Sequence, residues 1–132
     1  MPKLFFFDTG LVAYLTKYSS PDVLLNGAIN GAVLENYVAS EIIKSYTNNG
    51  LECFAYYYRD NDNKEVDMIL EIDGELHPLE IKKTASPSPE LSRFFKVLDK
   101  ASLPRGTGAI ICTKQELSAI DRSTAIVPVW TI

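Results

Sequence analysis

The dipeptide Asp73-Gly74 constrains this chain more than any other feature of it. Two β-prone runs flank it, Glu65 to Ile72 and Leu76 to Lys82, and a two-residue Asp-Gly connection suits the right-handed twist of paired strands. The spacing therefore predicts a tight antiparallel hairpin. Period-two alternation then puts Met68, Leu70 and Ile72 on one face and Asp67, Ile69 and Glu71 on the other. On the return strand Leu79 and Ile81 share a face, and Glu80 and Lys82 share the opposite one. Asp67 and Glu80 are nearly equidistant from the turn, so pairing brings two carboxylates together beside one lysine.

The rest of the chain arranges itself around this hairpin. Pro2 to Asp8 is a β-prone aromatic run, and Asp8 or Thr9 can cap a short helix through Leu11, Leu15 and Tyr18. Ser19-Ser20-Pro21-Asp22 interrupts that pattern, and a second helix begins within Asn26 to Asn30. Val33, Leu34, Tyr37, Val38, Ile42 and Ile43 recur at helical spacing to about Tyr46, after which Asn48-Asn49-Gly50 is a stop. Leu51 to Arg59 reads as the strand before the hairpin, separated from it by the polar turn Asp60-Asn61-Asp62-Asn63. The loop Ala85-Ser86-Pro87-Ser88-Pro89 leads into a helix through Leu91, Phe94, Phe95 and Leu98. Ala109 to Thr113 reads as a buried strand, Gln115 to Arg122 as a helical turn, and Ile126 to Ile132 as a final strand. The resulting core order is αβββαβ.

At 132 residues the chain fits one domain, residues 1–132, with 1–29 as an N-terminal extension and 30–132 as the core. Apolar residues make up 46% and charged residues 23%, which excludes disorder, collagen and coiled coil. No apolar run approaches the roughly 18 residues a bilayer crossing needs, and Leu4 to Phe7 is too short for a signal-peptide core, so a cytoplasmic chain without membrane contact is expected. Cys53 and Cys112 stand apart without metal-ligand spacing and read as buried thiols. The net charge of −4 argues against a general nucleic-acid binder, yet residues 1–81 carry 5 basic and 13 acidic side chains while residues 82–132 carry 8 and 4. That asymmetry suits an acidic metal pocket beside a basic phosphate-facing surface. It equally suits Lys83, Arg93, Lys96 and Lys100 solvating a helix.

Paired carboxylates beside a lysine are what metal-assisted phosphodiester hydrolysis needs. Carboxylates hold Mg²⁺ by hard oxygens and leave its other positions to water and substrate phosphate. Lys82 can position the attacking water or add positive charge. Glu35 lies within the apolar stripe of its helix, and a half-buried carboxylate calls for a partner, for which a metal or Lys82 would serve.

The segments Gly31…Glu35-Asn36-Tyr37-Val38…Glu41, Tyr57-Tyr58-Arg59-Asp60, Glu65-Val66-Asp67 and Leu79-Glu80-Ile81-Lys82 resemble a domain of unknown function found at the C-terminus of prokaryotic AAA-type ATPase-like proteins. That domain is similar to the PD-(D/E)xK, restriction-endonuclease-like superfamily. The resemblance covers nearly the whole chain, from Pro2-Lys3-Leu4 to Val127-Pro128-Val129. It implies a restriction-endonuclease-like α/β fold with a mixed central sheet and an αβββαβ core flanked by helices. It also implies a Mg²⁺- or Mn²⁺-dependent nuclease acting on nucleic acid, DNA in particular, with Asp67 and Glu80 as metal ligands, Lys82 as the lysine and Glu35 as the helix acid. Val66 stands before Asp67 where the motif has proline. No Gly-x-x-x-x-Gly-Lys-Ser/Thr phosphate loop is present, so the ATPase would be an upstream module of a longer polypeptide.

Two other readings compete. Asp67, Glu80 and Lys82 can be a solvent-facing hairpin surface whose cross-strand pairs contribute only about 0.2–1 kcal/mol each. The domain can also be a catalytically inactive interaction or regulatory module of the ATPase. Asp8-Thr9-Gly10 imitates an aspartic-protease loop, but the helical reading of Leu11 to Lys17 and the long following helix do not belong in a small all-β protease. His77 next to Pro78 is expected at a surface or strand edge, and at least one of Tyr56, Tyr57 and Tyr58 in the core.

Overall fold

The computed structural model describes residues 3–132. Pro2, where the expected opening strand begins, lies outside the described residues. In chain order the elements are α1 (Thr9–Leu15), α2 (Pro21–Asn26), α3 (Asn30–Asn48), β1 (Ala55–Arg59), β2 (Glu65–Ile72), β3 (Glu75–Lys82), a 3₁₀ segment (Pro89–Lys100), β4 (Gly108–Cys112), β5 (Ser118–Asp121), β6 (Thr124–Pro128) and a terminal 3₁₀ turn (Val129–Thr131). Asp73 (φ 51°) and Gly74 (φ 80°) close the predicted hairpin, both in the left-handed region that a type I′ turn requires. The ladder they set runs from Ile72↔Glu75 to Met68↔Leu79.

The six strands form one mixed sheet in the order β1-β2-β3-β4-β6-β5. The meander β1-β2-β3 is antiparallel, β3-β4 and β4-β6 are parallel, and β5 returns antiparallel at the edge. Helix α3 covers one face: Val38, Ala39 and Ile42 pack on Met68, Leu70, Leu79, Ile81 and Ile111. The 3₁₀ segment, crossing between the parallel strands β3 and β4, covers the other face through Phe95 and Leu98 on Val66 and Ile69. Gly108 permits this close approach, since a Cβ there would lie 2.7 Å from the Phe95 ring. Full burial of a side chain such as Ile110 or Val38 is worth about 1.5–3 kcal/mol, so the two faces supply most of the driving force.

Five expectations are corrected. The opening run is not a strand, because Asn36 takes its place as the backbone partner. Its buried amide accepts from Phe6 N (2.6 Å) and donates to Phe6 O (2.8 Å), the two groups a neighbouring strand would have used. Ser19-Ser20-Pro21-Asp22 is the start of a helix rather than only a break, since Ser20 caps Val23 N and Pro21 fits the first turn. Gln115 to Arg122 is not a helical turn. Ser118–Asp121 pairs with β6, and Asp121 closes the connection by accepting from Ser123 N (2.7 Å) and Ser123 Oγ (2.8 Å). The final strand stops at Pro128. The helix expected after the Ser-Pro loop is of 3₁₀ type, and its buried pair Phe95 and Leu98 is spaced by three, the period of such a helix.

Among the described residues no helix is long and apolar enough to cross a membrane. Because Asn36 ties down Phe6 through two part-buried hydrogen bonds, Asn36→Ala is expected to cost about 1 kcal/mol in urea unfolding. The same substitution should expose residues 3–8 to faster amide exchange.

Candidate metal centre

The site forms where β2 and β3 part. Tyr56 pairs with Ile69 but Tyr58 pairs with Val66, so β2 carries an extra residue opposite Tyr57. This bulge breaks the expected alternation, leaving Val66 and Ile69 on the same face, and it turns the Asp67 carboxylate towards β3. One step beyond the last β2–β3 pair, Asp67 Oδ2 rather than a backbone carbonyl accepts the Ile81 N–H, at 2.8 Å. Asp67 is thus both the end of the ladder and the wall of a cleft. By continuation of the register, Glu80 stands directly across from it.

The cleft has a volume of about 600 Å³ and is lined by Glu35, Glu65, Asp67, Glu80, Lys82 and Phe94, among others. All four residues singled out in the sequence, Glu35, Asp67, Glu80 and Lys82, are brought together there. Glu35 comes from the N-terminal half of α3, Asp67 from β2, Glu80 and Lys82 from β3. Lys82 is exposed at the rim and the carboxylates are half-buried. Two further charged groups were not foreseen. Lys3 forms an ion pair with Glu35 and lies 3.0 Å from Glu65 Oε1 and 3.7 Å from Asp67 Oδ1. Period two could have put Glu65 beside Asp67; nothing local to Lys3 announces its role.

Electrostatics follow from crowding acids in a half-dry cleft. Burial, reinforced by the nearby Asp67 charge, pushes Glu80 up to about 8, with Lys82 opposing. Burial also raises Asp67, against the Ile81 N–H and the Lys3 charge, and raises Glu35, against its Lys3 pair. For Lys3, burial works downward but the pairs with Glu35 and Glu65 outweigh it, leaving the ammonium above its usual range.

The donor set fits a hard divalent cation held openly. Glu35 Oε1 is buried, has no hydrogen-bond partner among the described residues and is ion-paired with Lys3. Among the described residues no group of three or more His, Cys, Asp or Glu side chains is arranged to hold a metal ion. Mg²⁺ asks for less: one or two carboxylates, with water and phosphate completing its octahedron. Asp67 and Glu80 are the pair that would hold it.

Residues 30–132 match the family described as a domain of unknown function, DUF4143. The chain belongs to that family. Two curated relatives, each called an uncharacterized protein, come from Mycobacterium tuberculosis and Mycobacterium bovis. Each is 31% identical over 98 residues, which is 74% of this chain and 21% of the relative. The chain thus spans about a fifth of their length. No solved structure gives a significant match.

Outside the cleft, this DUF4143 domain holds the remaining candidates in structural roles. Asp8 caps α1 by accepting from Gly10 N and Leu11 N, as expected of a helix cap rather than a protease loop. His77 is half-buried on a central strand rather than at an edge, its Nδ1 2.9 Å from Thr107 O. Tyr58 packs beside Val66 and Phe95, whereas Tyr56 is exposed and donates to Glu71. Cys112 is buried and Cys53 half-buried, both as free thiols.

Proposed function

We propose that this domain is a metal-dependent, nuclease-like module of PD-(D/E)xK, restriction-endonuclease-like type that hydrolyses nucleic-acid phosphodiesters, normally as part of a longer AAA-type ATPase-like protein. One observation carries the reading: Asp67 and Glu80 face each other just past the point where their strands stop pairing, with Glu80 short of counter-charge. When bound, Mg²⁺ or Mn²⁺ supplies Lewis-acid charge and an activated water. The chain's own residues do the rest. Asp67, fixed by the Ile81 N–H, and Glu80 hold the cation position; Lys82 at the rim offers its ammonium to the phosphoryl oxygens. Glu35, from α3, orients what enters from the helix side.

A nucleic-acid substrate is supported by the adjoining groove. Phe94 borders the cleft and also a second hollow of about 500 Å³, lined by Arg93, Lys96 and Lys100 with Tyr58, and by Lys64, which pairs with Asp60 in the same hollow. A strand with one phosphate at the cation position of Asp67 and Glu80 would carry its neighbouring phosphates over these cations. The length of the mycobacterial relatives leaves room for an ATPase module and supports attachment to one.

The test is cleavage of single- and double-stranded DNA with Mg²⁺ or Mn²⁺. Lys82→Ala is expected to lower the rate about 10²-fold or more while leaving the fold intact, because the side chain is exposed. Absence of metal-dependent cleavage by the wild type would favour the interaction or regulatory module. The ion pairing of Lys3 inside the cleft supports that second reading, since it partly satisfies the carboxylates without any metal.

A further inference from the structure

The ammonium of Lys3 sits among three of the cleft carboxylates. It contacts carboxylates from two separate elements, Glu35 of α3 and Glu65 and Asp67 of β2, all within 4 Å. Its side chain is 23% exposed, and the ring centroids of Phe5 and Tyr57 lie 6.0 and 5.8 Å from the ammonium. The segment bearing it is pinned three residues further on by the Asn36 clamp on Phe6, so the ammonium is presented by a fixed backbone.

We propose that Lys3 is a positioning residue, a tethered ammonium that stands in for the divalent cation among the cleft carboxylates and sets the affinity with which that cation is held. The inference rests on the reading of the cleft as a metal centre. An ammonium carries three donors and one charge, enough to hold three acids in place but only half the charge of Mg²⁺. A divalent ion arriving beside Asp67 meets the Lys3 charge at short range, where the surrounding protein screens it less than bulk water does. Lys3 has a flexible four-carbon stem and swings out when the ion enters. Binding is therefore an exchange of one cation for another, weaker than the acids alone would give.

Titration calorimetry with Mn²⁺ on the full chain tests this. Lys3→Met is expected to bind Mn²⁺ roughly tenfold or more tighter than wild type, the competing charge being gone. Lys3→Arg keeps the charge and should stay within about threefold of wild type. A purely structural Lys3 gives the opposite sign, since loosening the segment weakens binding. In the wild type, the ¹⁵N resonance of the Lys3 ammonium should be protected without metal and lost to solvent exchange at saturating Mg²⁺. Equal or weaker Mn²⁺ binding by Lys3→Met, or a Lys3 resonance unmoved by bound Mg²⁺, would overturn the proposal while leaving the metal centre standing. No Mn²⁺ uptake by wild type, Lys3→Met or Lys3→Arg would remove the metal centre, and this inference with it.

Discussion

Asp67→Asn is expected to abolish divalent-cation binding and to lower metal-dependent cleavage by about 10³-fold or more, with the fold retained. The substitution separates two jobs of one side chain. The Asn carbonyl can still accept the Ile81 N–H, so the end of the β2–β3 ladder survives. What is lost is the negative charge beside Glu80. Removing that charge also removes a cause of Glu80's raised pKa, so metal-free Asp67→Asn should be at least as stable as wild type near neutral pH. Asp67→Ala, which sacrifices the Ile81 partner as well, should be less stable than Asp67→Asn by about 1 kcal/mol. Calorimetry with Mn²⁺ and urea unfolding of both variants check this. Wild-type metal affinity in Asp67→Asn would end the assignment of Asp67 as a ligand.

Glu80→Gln should stabilise the metal-free protein at pH 8 and not at pH 4.5. With its folded pKa raised from 4.5 to about 8, Glu80 holds a proton in the folded state that the unfolded chain releases between those values. Its contribution is fully present below about pH 4.5 and is lost as pH rises through about 8. The groups acting on it are Asp67 and Glu65 of β2, Glu35 of α3 and the neighbouring Lys82. The residue is only partly withdrawn from water, so solvent screening reduces the gain for glutamine to about 1–3 kcal/mol at pH 8. Urea midpoints across this range should fall for wild type and stay flatter for Glu80→Gln. Added Mg²⁺ should reverse the order at pH 8, since a cation bound to the folded state alone stabilises wild type by mass action. Parallel pH profiles for the two proteins would show that Glu80 is a solvated carboxylate.

How much of this was legible in the sequence depends on how local the cause was. Asp73-Gly74 needs only its own two backbones to turn, and Val38, Ile42, Met68 and Leu79 declare their faces by spacing alone. Hence α3, the hairpin and the meeting of Asp67 with Glu80 could be read directly. Gln115 to Arg122 misled because its strand identity comes from pairing with β6, a partner no local pattern names. The aromatic opening run misled for the same reason in reverse: it has strand composition, but the partner waiting for Phe6 is the side chain of Asn36.

The sequence by itself determined which acids and which lysine would share a hairpin, because alternation and a two-residue turn are properties of adjacent residues. Only the tertiary structure decided the bulge at Asp67, the raised pKa of Glu80 and the arrival of Lys3 among Glu35, Glu65 and Asp67. Those depend on how strands part, how much water a cleft keeps and which distant segment is folded against it. They are set by packing between elements far apart in the chain, and no spacing within one element encodes them.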